Sequence, residues 1–133
     1  PTEEESPVKG VIFSDQLVVK ELSVLTNPDA ITYTLENKTG KTLEFGYAFI
    51  IKKLQPDGSL VDTDLTEDMA FIMMLGMLED GKTLEDGISF DLLKQKPTEG
   101  TYFIYREYLD EQGEKYVPRV SFKIVDGKLM VLK

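Results

Sequence analysis

Alternation with a period of two runs through most of the chain. Ile31, Tyr33 and Leu35 alternate with Thr32, Thr34 and Glu36, which predicts a strand with one buried face. Leu43, Phe45, Tyr47, Phe49 and Ile51 share one parity and predict a single long strand over Thr42–Leu54, with a bulge at Gly46. Leu84, Ile88, Phe90 and Leu92 form the apolar parity of another, opposite Glu85, Ser89 and Asp91. Val120, Phe122 and Ile124 point inward in a returning strand within Glu114–Val125, and Pro118 puts its start on an edge or a bulge. Val8–Phe13 predicts a short first edge strand, Leu17–Leu25 is a further apolar-rich segment, and Leu129–Leu132 predicts a short last strand.

Turn chemistry separates these runs. It lies at Asn27-Pro28-Asp29, Pro56-Asp57-Gly58, Glu79–Lys82, Asp110–Gly113 and Asp126-Gly127. Asn37–Lys41 reads as a hairpin connection containing Gly40. Asn37-Lys38-Thr39 also fits a glycosylation sequon, but a turn asparagine is the simpler reading. About seven to nine short strands, with turns every 8–15 residues or so and no convincing amphipathic helix, predict an all-β antiparallel sandwich or barrel.

Pro97–Leu109 specifies more. Pro97 fixes its own φ and Gly100 is free to take a positive one, so a turn precedes the strand. The strand is apolar on both faces, with Tyr102, Ile104 and Tyr108 on one and Phe103, Tyr105 and Leu109 on the other, which predicts a central position. Glu99–Ile104 resembles the tyrosine corner of immunoglobulin-like sandwiches, in which a Tyr near the start of strand F bonds back to the preceding turn.

Composition narrows the chemistry. The 133 residues fit one domain, read as an acidic tether over 1–7 followed by a sandwich over 8–133. A tether ahead of a domain favours a start after a removed export signal, with attachment to a surface as in a lipoprotein, over excision of an initiator Met. The net charge of −9 lacks any basic cluster to offset it, so neither nucleic acid nor an anionic membrane is an expected partner. The longest apolar run, Met69–Leu78, is about half the length needed to span a bilayer. With no Cys and no His, the chain lacks the means for a Ser-His-Asp triad, a thiol nucleophile, a disulfide framework or an ordinary zinc site. No catalytic residue and no cofactor is therefore expected.

Two segments remain. Asp62, Asp64, Glu67 and Asp68 form an acidic loop. Asp62–Thr66 fits D-x-D-x-T, but lacks the buried parallel strand that such a phosphatase nucleophile needs. The spacing also fails the EF-hand, which leaves a solvated loop or a looser calcium site. The other segment, Met69–Leu78, holds four of the five Met and is apolar throughout. It reads first as a crossover covering the core. The alternative is an exposed contact patch of Met69, Phe71, Met73, Met74 and Met77, since Met is over-used at adaptable binding surfaces.

A wider resemblance spans roughly residues 30–106. Ile31–Gly40, the aromatic strand from Phe45 to Leu54, the Asp57-Gly58 turn, the Leu78–Gly81 turn and the Gly100–Tyr102 strand resemble, in order and spacing, small bacterial immunoglobulin-like domains of exported and surface-attached proteins. They also resemble the intracellular proteinase inhibitor family. Pro118–Lys133 departs from the pattern, with a further turn beyond the usual last strand. The resemblance implies an immunoglobulin-like antiparallel β-sandwich. It also implies a non-catalytic interaction module outside the cytoplasm, with an unidentified protein partner. The alternative is a proteinase inhibitor. No family functional residue has a counterpart here.

Overall fold

A computed structural model of the chain describes residues 8–131, and the tether expected over 1–7 lies outside them. Twelve short strands form among the described residues: β1 (Leu17–Leu25), β2 (Ala30–Asn37), β3 (Leu43–Gly46), β4 (Ile50–Leu54), β5 (Leu60–Asp62), β6 (Leu75–Leu78), β7 (Thr83–Ser89), β8 (Gly100–Tyr105), β9 (Tyr108–Leu109), β10 (Lys115–Tyr116), β11 (Ser121–Val125) and β12 (Lys128–Met130). All the ladders between them are antiparallel.

One layer is β1-β2-β7. The other is bonded as two ladders, β10-β9-β3-β6 and β12-β11-β8-β4-β5. These are two ends of one layer, because β3 runs into β4, β5 into β6, β8 into β9 and β10 into β11, and the strand order is the same in both. Merging those four pairs leaves eight strand paths, within the expected range. The fold is an all-β antiparallel sandwich, one of the two forms that the alternation and turns allowed, and it is immunoglobulin-like as the resemblance implied. Ile31, Leu35, Leu43, Ile51, Tyr102, Val120 and Phe122 are buried between the layers.

The tyrosine corner is present. Tyr102 is buried in the central strand β8, and its hydroxyl donates to Thr98 O at 2.7 Å. The turns at Asn27–Asp29, Pro56–Gly58, Asp110–Gly113 and Asp126-Gly127 also form where expected. Asp126 and Gly127 both take the positive φ that a two-residue hairpin needs.

Elsewhere the structure departs from the sequence pattern. The strand expected over Thr42–Leu54 is split: it leaves one ladder after Gly46 and enters the other at Ile50, so Gly46 is no bulge in a continuous strand. Asn37–Lys41 is not a hairpin, since β2 pairs with β1 and β7 while β3 pairs with β6 and β9. It is a crossover between layers, organised by buried Asn37. The Asn37 amide donates to Lys41 O (2.7 Å) and Leu78 O (2.9 Å), and its Oδ1 accepts from Thr39 N and Thr39 Oγ1. These bonds satisfy backbone groups in the crossover and at the end of β6, and the burial of Asn37 argues against the sequon. The strand through Leu84 and Ile88 ends at Ser89, and Phe90–Leu92 forms a 3-10 turn that leaves Leu92 exposed. Val8–Phe13 is a strap rather than a strand. It makes one isolated bridge, Lys9 to Ser59, and lays Phe13 on Phe103 with ring centroids 5.4 Å apart.

Strand β7 contains a charge at an inward position. Asp86 lies between Leu84 and Ile88 on the face turned to the core. Arg106, in the gap between β8 and β9 and only 8% exposed, reaches it from the opposite layer. One guanidinium nitrogen donates to Asp86 Oδ2 at 2.6 Å and to the Tyr108 hydroxyl at 3.2 Å, and the other donates to Tyr47 O at 2.7 Å. The Phe45 and Phe49 rings each lie 5.5 Å from the guanidinium carbon. Tyr33 also donates to Asp86, and burial first, then Asp86, pushes the Tyr33 phenol well above its ordinary pKa. Arg106 is the buried partner and Asp86 the half-buried one, and removing the guanidinium leaves both Asp86 and Tyr47 O short of a donor. Arg106→Ala is therefore expected to lower stability by about 3 kcal/mol, read as a fall in the urea midpoint, whereas an unchanged midpoint would mean that the pair is inert.

Candidate interaction surface

The acidic loop and the Met-rich segment belong to one excursion of the edge strand, which leaves the layer after β5 and returns as β6. Leu65, Met69 and Phe71 fix it to the body. Leu65 is buried, Met69 packs against the core, and Phe71 meets Phe49 edge to face at 5.2 Å. Thr63 and Thr66 hydroxyls donate to Ile51 O and Phe49 O. The acids spread apart: Asp62 pairs with Lys52, while Asp64 and Glu67 share Lys94. Among the described residues no three carboxylates converge on a metal-sized site.

The expected contact residues divide. Met69 and Phe71 turn inward as anchors, which corrects their place in the patch. Met73, Met74 and Met77 turn outward, and Met73 is 96% exposed. The reading of the whole segment as cover for the core is corrected for the same reason. Ile72 and Leu75 are exposed beside them and extend the expected patch. Alternation in β6 gives the physical order, with Leu75 and Met77 outward and Gly76 and Leu78 inward. Gly76 is required there because a side chain would collide with the Phe45 ring packed across it.

Met77 lies opposite Glu44 on β3, and Glu44 opposite Leu109 on β9. Together with Thr42, Asp110 and Glu111 they line an open groove of about 290 Å³ that has no Lys or Arg in its wall. Asp110 shapes its far end. Its Oδ1 accepts from Gln112 N and Glu114 N (both 2.9 Å), and its Oδ2 from the Tyr116 hydroxyl (3.0 Å) and Lys41 (3.3 Å). Burial opposes ionisation of Asp110. The bonds from Glu114 N, Tyr116, Lys41 and Gln112 N outweigh it and hold the carboxyl below the usual range.

Two outcomes follow from this geometry. A depressed carboxyl pKa stabilises the fold above the unfolded value, about 4, and that contribution fades as the pH falls through the folded value. Asp110→Asn is thus expected to melt lower than the parent at pH 7, with the gap closing in acid. A gap that is constant from pH 7 to about 3 contradicts the ionised role of Asp110. In mild peroxide, mass spectrometry should find Met73 oxidised fastest and Met69 slowest, and equal rates would contradict the exposure described.

Comparison with curated proteins returns no match. The family model described as "Bacterial Ig-like domain" matches residues 16–123, well beyond the 30–106 over which the resemblance was first apparent. The match runs into β11 and so covers the start of Pro118–Lys133, where a departure was expected, while the β11–β12 turn and β12 lie past it. With most of its length matched and with the two-layer antiparallel topology above, this chain belongs to the bacterial Ig-like domain family.

Proposed function

We propose that the domain is a non-catalytic protein-interaction module of an exported or surface-attached bacterial protein, and that it meets its partner through the outward part of the Met-rich excursion. The supporting observation is the contiguous exposure of Ile72, Met73, Met74, Leu75 and Met77 on one edge. Solvent rarely tolerates so dense an apolar surface without a partner, and flexible Met side chains suit adaptable contacts. Bacterial Ig-like domains are generally non-catalytic and often occur in extracellular proteins, which fits this role and placement. Among the described residues no helix is long and apolar enough to cross a membrane.

The test combines Met73→Asp with Met74→Asp. Because both side chains face solvent, the melting temperature should move by no more than about 2 °C. Proteins from the cell envelope of the source organism that are enriched on the parent domain should be lost from the double variant. Equal recovery on both, or enrichment on neither, would overturn the proposal, and a large fall in melting temperature would show that these side chains serve the core.

A further inference from the structure

We infer that β6 is a receptor edge for strand addition, and that its occupant is an extended segment of a basic partner protein, with apolar side chains alternating with Lys or Arg. The inference rests on the interaction reading above and specifies its geometry and chemistry.

An edge strand presents unpaired N–H and C=O groups, and proteins ordinarily guard such edges with charges, bulges or proline. The other edges here are guarded. β1 has a register break between Lys20 and Ser23, where Glu21 takes a φ of 56°. β7 carries Glu85 and Asp86, β5 ends on Asp62, β10 carries Lys115, and β12 begins with Lys128. β6 is also an edge, yet Leu75-Gly76-Met77-Leu78 and the six residues before it contain no charge and no Pro. A strand laid beside β6 continues its ladder and sets alternate side chains over Leu75 and Met77, as edge-binding peptides do.

Charge identifies the occupant. The groove beside Met77 is apolar at Met77 and Leu109 and acidic at Glu44 and Glu111, with no basic residue in its wall. Among the described residues neither acid forms an ion pair, unlike Asp110, which Lys41 engages. A Lys or Arg on the added strand can lie its aliphatic stem along Met77 and bring its charge toward Glu44. A second copy of this chain is a poor occupant. It would bring a net charge of −9 against −9, and its own β6, paired edge to edge, carries no base for these acids.

The probe is a synthetic peptide alternating Ile with Arg, titrated onto the intact domain by fluorescence anisotropy. Three further peptides accompany it: one with Glu in place of Arg, and two N-methylated on alternate backbone nitrogens in opposite phases. The Arg peptide should bind, and the Glu peptide should bind at least about tenfold more weakly. One N-methylated phase should abolish binding and the other be tolerated, because only alternate N–H groups of an added strand face the ladder. Hydrogen exchange should slow at residues 75–78. Glu44→Gln with Glu111→Gln should narrow the difference between the Arg and Glu peptides, and Met77→Ser should weaken both.

Equal tolerance of both methylated phases overturns strand addition. If Met73→Asp with Met74→Asp still weakens binding in that case, the interaction reading survives without it. Equal binding of the Glu peptide overturns the basic occupant. A concentration-dependent dimer in sedimentation, lost in Met77→Ser, makes a second copy the occupant instead. No binding of the Arg peptide up to about 1 mM overturns the inference, and failure of the double Met variant to lose envelope proteins overturns the reading beneath it.

Discussion

A partly buried ion pair joins the two layers. Arg106 enters the core where the central strand path is interrupted, between β8 and β9, and meets Asp86 from the facing layer. The same guanidinium caps Tyr47 O, a backbone acceptor in the gap where β3 gives way to β4. Breaks in two adjacent strands are thus closed by one side chain. An open carbonyl in a sandwich core would carry the full desolvation cost of an unmade hydrogen bond, and an open arginine would cost more. Each break is tolerable because the other supplies its partner, while the Phe45 and Phe49 rings flank the guanidinium.

Register explains why the breaks fall where they do. Between β8–β9 and β10–β11 nothing is gained or lost: Phe103 faces Ser121 and Leu109 faces Lys115 in one continuous alignment. Between β3–β4 and its neighbour β8–β9, the alignment set by Ile50 and Tyr105 would place Glu44 opposite Glu111, yet it lies opposite Leu109. The surplus is taken up around Tyr47. The shift on the other side is larger. The alignment of Lys52 with Asp62 would set Glu44 opposite Ala70, and Met77 stands there instead. That surplus is the excursion that carries Met73 and Met74 into solvent and leaves β6 as a short apolar edge.

Much of the fold was legible locally. The tyrosine corner, the hairpin turns and the inward parities of β2 and β11 rest on φ preferences and on period-two alternation, which a short window contains. Three features were not. The single parity from Leu43 to Ile51 survives its split, because the chain keeps the same face inward as it passes from one ladder to the other. Asn37 looked like a turn residue, and only its four hydrogen bonds mark it as the clasp of a crossover. Asp86 and Arg106 did leave a signal, since each occupies the apolar parity of its strand, and two opposite charges on inward parities suggest a buried pair.

By itself the sequence determined the class of fold, its turns, its central strand and the absence of His- or Cys-based chemistry, because each depends on residues within a few positions of one another or on composition alone. The tertiary structure decided which strands pair, where they break, and which half of Met69–Leu78 faces water. A segment that is apolar throughout has no internal contrast to tell core from surface. That contrast came from outside it, where Phe49 offered a ring to Phe71 and, among the described residues, no element covered Met73.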